Sequence, residues 1–127
     1  MRATRPPLLA LAALAALAAP ASAEGPGVYA ALAISASGAY GYSHGYTTND
    51  EARRRALAEC VKRTQAGDCK VAAEFNRNCI ALAYGTNKVF GWAIGYPNDE
   101  RPERALNACA DAKGQACKVI ESFCSGR

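Results

Sequence analysis

Residues 43–60 read SHGYTTNDEARRRALAEC, and residues 93–109 read AIGYPNDERPERALNAC. Each stretch passes from a Gly-Tyr pair through an acidic cluster into an Ala-Leu helix pattern that closes on a cysteine. Reading outward lengthens the match. YAALAIS (29–35) answers IALAYGT (80–86), AYGYSHGY (39–46) answers VFGWAIGY (89–96), and CKVAAEF (69–75) answers CKVIESF (117–123). The offset drifts from 50 to 48 along the chain. A period of this length marks a duplicated supersecondary unit.

Each copy reads strand, strand, helix, strand. The first strand alternates, with Leu32 and Ile34 on one face and Ala31 and Ala33 on the other. Ser35 to Gly38 and Gly85 to Lys88 carry the turn chemistry of a hairpin. The second strand sets Tyr40, Tyr42, His44 and Tyr46 against Gly41, Ser43 and Gly45. Small residues on that second face admit a close neighbour. Thr48 and Glu51 form a capping box at the helix start, and Ala52, Ala56, Leu57, Cys60 and Val61 make its apolar stripe. In the second copy, Pro102 fits if Asp99 is the N-cap, because the first amides of a helix need no intrahelical acceptor. Gly67 and Gly114 follow the helices, where a left-handed residue is wanted. One unit alone cannot bury both its sheet and its helix. The expected fold is α+β, with two pseudo-symmetric β-β-α-β repeats (about 28–78 and 79–124) sharing one mainly antiparallel sheet, both helices on one face.

The N-terminus reads as a signal peptide over residues 1–23. Arg2 and Arg5 precede the apolar run Leu8 to Ala19, and Ala21-Ser22-Ala23 gives a cleavage signature before Glu24. Twelve apolar residues fall short of the roughly 20 that span a bilayer. The expectation is a single disulfide-rich domain over 24–127, periplasmic or extracellular, with no membrane insertion after cleavage. Taking Arg2 and Arg5 from the 15 basic residues leaves 13 against 11 acidic, a mature charge of about +2. That balance does not suit nucleic acid, and Arg53-Arg54-Arg55 reads as a solvated helix face.

All six cysteines lie in the mature part, as in small exported domains stapled by disulfides. Six cysteines allow fifteen connectivities. Symmetry selects Cys60–Cys69 and Cys109–Cys117 within the copies, leaving Cys79–Cys124 as a link between them. With no C-x-x-C spacing and His44 alone, neither a metal nor another cofactor is expected.

Catalytic signals are sparse. Ser43 and His44 are adjacent on a strand and point to opposite faces, against a relay. Glu74 and Glu121 could form a carboxylate pair, but they are not equivalent in the repeat: Glu74 matches Ser122 and Glu121 matches Ala73. Alternation sets Glu121 beside Val119 and Phe123, partly buried and paired to a basic residue. The distinctive feature is the stripe Tyr40, Tyr42, His44 and Tyr46, in which every ring has a polar tip. Its counterpart Phe90, Trp92, Ile94 and Tyr96 reads largely as core.

Together YAALAIS, GAYGYSHGY, EARRRALAEC, CKVAAEF, CIALAYG and GWAIGY resemble domain-of-unknown-function family 4189, small exported bacterial proteins. The resemblance spans residues 28–124. It implies a secreted or periplasmic domain and carries no catalytic residues. The expected function is an exported, disulfide-stabilised binding module of inhibitor or effector type. Its partner would be a protein or an envelope glycan, met by Tyr40, Tyr42, His44 and Tyr46. The alternatives are an enzyme on envelope glycans using Glu121, Glu74 or His44, and a structural envelope protein.

Overall fold

A computed structural model describes residues 27–126; the signal-peptide reading lies outside them. The chain order is β1 (Tyr29–Ile34), β2 (Tyr40–Tyr46), α1 (Asn49–Val61), β3 (Lys70–Asn76), β4 (Cys79–Tyr84), β5 (Phe90–Ile94), α2 (Arg101–Asp111) and β6 (Lys118–Cys124). The α+β class and the duplicated β-β-α-β order are those expected. Leu32 stands opposite Tyr42, and Leu82 opposite Trp92, so the first strands align as 29–34 on 79–84. This is one residue from the alignment read in the sequence.

The strands divide into two three-stranded antiparallel sheets, β2-β1-β3 and β5-β4-β6, where a single shared sheet was expected. The reason lies in side-chain size on the two faces. Ala30, Leu32, Phe75, Ile80, Leu82 and Phe90 form one buried cluster drawn from both sheets. Placing both helices on one face of one sheet would leave these large residues in water, at about 25 cal/mol per Å² of apolar surface. Stacking the sheets covers them. The opposite faces bear small residues: Ala31 and Ala33 pack on Ala52, Ala56 and Cys60 of α1. Ala81, Ala83 and Ala93 pack on Ala105 and Cys109 of α2. The layers run helix, sheet, sheet, helix.

Glycine makes the helix contacts possible. A Cβ on Gly41 would land on the backbone of Cys60 and Ala56, and one on Gly91 on the backbone of Cys109. Thr48 is the N-cap of α1, its hydroxyl accepting from the Glu51 N–H. Ala52, Ala56 and Cys60 are buried, whereas Val61, at 57% exposure, lies outside the stripe assigned to it. Helix α2 starts one residue later than expected, with Glu100 as N-cap and no side-chain cap bond. Its left-handed terminating residue is Lys113 (φ 74°), while Gly114 makes room for the adjoining disulfide.

Three disulfides close the structure: Cys60–Cys69, Cys109–Cys117 and Cys79–Cys124. The last does not link the copies. Cys79 and Cys124 are directly opposed on β4 and β6, so the bond lies inside the second sheet. Tyr29 and Asn76 hold that place in the first.

Candidate functional site

The stripe residues stand on β2, an outer strand of its sheet, and three of the four rings lean toward the second sheet. Tyr42 stacks on Phe123 of β6 at 4.3 Å, and His44 lies 6.1 Å from the same ring. Tyr40 meets Phe90 edge-on at 6.0 Å. Tyr46 departs from the stripe. Gly45 takes φ 80° and the register shifts between Tyr29 and Ala31, which turns Tyr46 onto the α1 side, against the cluster of Ala31, Ala33, Ala52, Ala56 and Cys60. A left-handed glycine reverses the alternation that a sequence reading assumes.

Glu121 sits between the sheets and is partly buried, as its alternation indicates, but its hydrogen-bond donor is a phenol where a basic residue was expected. The Tyr40 hydroxyl donates to Glu121 Oε2 at 2.8 Å. Burial, and then this bond to a carboxylate, push the Tyr40 phenol up to about 12. Burial and the charge of Glu121 raise Tyr42 as well, against the opposing pull of Arg63. Both phenols are therefore held as neutral donors near pH 7.

The other sequence candidates lie apart. Ser43 turns to the helix side, where its hydroxyl donates to the Ala52 carbonyl at 2.7 Å, away from the His44 ring. Glu74 is paired with Arg53 at 3.3 Å on the α1 side of β3, and Glu121 faces the space between the sheets. The two carboxylates do not converge.

The structure adds three residues to the stripe. Tyr42, Ser43, His44 and Tyr46 share a groove of about 260 Å³ with Arg55, Glu59 and Arg63. Arg55 Nη2 pairs with Glu59 Oε2 at 2.7 Å. Arg63 Nη1 donates to the Tyr40 carbonyl at 2.8 Å, its guanidinium 5.8 Å from the centre of the Tyr40 ring. Their spacing of i, i+4, i+8 is the available sequence signal, since such residues share a helix face. Of the Arg triplet, Arg53 and Arg54 behave as the expected solvated face, bound to Asp50 and Glu74; Arg55 turns to the groove.

The second repeat builds a groove at the equivalent place, about 480 Å³, lined by Trp92, Ala93, Ile94, Tyr96, Arg104, Asn107, Ala108 and Asp111. The duplicated grooves lie on a duplicated frame, and a family model, Domain of unknown function (DUF4189), matches residues 29–124. The chain belongs to this family. Neither a curated protein nor a solved structure matches it. The matched span of this DUF4189 chain takes in the eight helices and strands of the described residues and all six cysteines. Among the described residues, no helix is long and apolar enough to cross a membrane.

Proposed function

We propose that this DUF4189 domain is an exported binding module, not a catalyst, and that its recognition surface is the β2–α1 groove. The partner is a protein that inserts side chains there. The supporting observation is the lining itself: His44, Tyr42 and Tyr46 offer ring surface and polar tips, and Arg55 and Arg63 offer guanidinium groups. Aromatic and arginine side chains are the residue types that dominate binding energy at protein interfaces. Two guanidiniums against the single Glu59 carboxylate favour a partner loop that presents an acidic group. Strand addition to β2 is disfavoured, because Arg63 occupies the Tyr40 carbonyl and the Gly45 N–H donates to the Ser125 carbonyl at 2.8 Å. Disulfides hold the groove in place, so little order is lost on binding.

The test is affinity capture of exported proteins with the wild type and a His44→Ala/Arg55→Ala variant, followed by calorimetry with the purified partner. Retained disulfides and circular dichroism with lost binding support the reading. Unchanged affinity for the captured partner rejects the groove as its site. Turnover of peptidoglycan fragments that disappears in Glu121→Gln would replace it with an envelope-glycan enzyme.

A further inference from the structure

The outer strand of the second sheet differs from β2 in how its edge is treated. The Gly85 N–H donates to the Val89 carbonyl, and the Gly95 N–H donates to the Cys79 carbonyl. These bonds fix which residues of β5 face β4 through the backbone. Gly91 and Ala93 do, so the N–H and C=O groups of Phe90, Trp92 and Ile94 point outward. Among the described residues, nothing takes those groups. The counterpart of Arg63, which follows α1, is Ala112 in the second repeat, which cannot cap a carbonyl.

Sheet edges are ordinarily protected by charge, proline, a bulge or a covering element. The outer strands on the far side, β3 and β6, carry Lys70 with Glu74 and Lys118 with Glu121. Strand β5 reads Phe-Gly-Trp-Ala-Ile, keeps an unbroken register with β4, and has no charge or proline. It is the unprotected edge of the molecule's described part, and large half-buried side chains, Trp92 and Ile94, stand beside it.

We propose that two copies of this chain pair through β5 in an antiparallel, two-fold symmetric dimer centred on Trp92. The sequence of the strand supports this occupant. With the dyad at Trp92, Trp92 meets Trp92 of the second copy, and Phe90 meets Ile94 of the second copy. Every outward N–H and C=O of the strand then finds a complementary group, and the two three-stranded sheets become one sheet of six strands. A two-fold interface must also be self-complementary in charge. The groove beside β5 is lined by Arg104 and Asp111 on one stripe of α2. Arg104 lies over Tyr96, past the C-terminal end of β5, at 4.6 Å. Asp111 is the last residue of α2, a helix that runs back along the strand to Cys109 beside Gly91. The dyad reverses this order in the second copy, so each arginine faces an aspartate. This surface is separate from the β2–α1 groove, and the inference does not depend on that groove's function.

Sedimentation equilibrium of the oxidised mature chain tests the proposal. The expected result is a reversible dimer that dissociates on dilution. Placing a charge on the edge with Ile94→Lys should yield monomer with unchanged circular dichroism. Arg104→Asp and Asp111→Arg, both at exposed positions, should each weaken association about tenfold or more, and the combined swap should restore it. The charge series decides the matter if Ile94→Lys fails to fold. Amide exchange at Phe90, Trp92 and Ile94 should slow as concentration rises. His44→Ala/Arg55→Ala should leave the dimer intact. A chain monomeric up to millimolar concentration, or a dimer indifferent to the charge series, overturns the proposal.

Discussion

Tyr40 of the first repeat and Glu121 of the second are joined directly: the phenol donates to the carboxylate over 2.8 Å, bridging β2 and β6. The bond ties pH to stability. The Tyr40 phenol is raised from 10.0 to about 12 in the folded chain. A raised phenol contributes stability that is fully present below the unfolded value and lost as pH climbs through the folded one. Urea midpoints should therefore fall between about pH 10 and 12, and Tyr40→Phe should flatten that fall. The same substitution should cost about 1 kcal/mol near neutral pH through the lost hydrogen bond. An alkaline transition that persists unaltered in Tyr40→Phe would remove Tyr40 as its source.

Gly41 and Gly91 hold the two helices against their strands. An added methyl has backbone, not a flexible side chain, as its neighbour, so Gly41→Ala and Gly91→Ala should each destabilise by about 1–3 kcal/mol or more. Gly67, whose added Cβ meets nothing within 4 Å, is the control for space, although its φ of 71° adds a smaller backbone cost. Chemical denaturation of the three variants gives the order.

The three disulfides should not be equal in effect. The Cys79–Cys124 separation is 45 residues, against 9 and 8 for the others. Loop-closure entropy assigns about 4 kcal/mol to the long loop and roughly 2.5 kcal/mol to each short one. Paired Cys→Ser substitutions with thermal melts should show the larger loss for Cys79–Cys124.

Helix α1 has a side-chain cap and α2 does not. Thr48→Ala should cost about 1 kcal/mol, and Glu100→Ala, at the equivalent position of α2, markedly less. Equal losses would mean that the Thr48 hydroxyl does not stabilise the helix end.

Much of this architecture is written in residue size. Glycines and alanines on alternate positions of β1, β2, β4 and β5 announce a helix close by, and the cysteine spacings carry the duplication. Period-two alternation does not say what covers the larger face, however. Leu32 and Leu82 require a lid, but the pattern does not distinguish a helix from a second sheet. Tyr46 leaves the stripe that alternation assigns it because Gly45 is left-handed, which leaves no trace in hydropathy. The groove was half visible: Tyr42 and His44 stand out as an unusual stripe, whereas Arg55, Glu59 and Arg63 resemble any solvated helix until the strand order puts them beside it. Alternation shows Glu121 as partly buried but points to a basic partner; its phenol donor comes from 81 residues away in sequence, beyond any local pattern.

The sulfur bridges all fall within a repeat: Cys60–Cys69 in the first, Cys109–Cys117 and Cys79–Cys124 in the second. Only Arg77 and Asn78 connect β3 to β4. A protease that nicked this exposed junction would leave two fragments with no covalent tie, held by the apolar layer and the Tyr40–Glu121 contact. On a non-reducing gel the cut protein should separate into two bands, while in native buffer the fragments should still travel together.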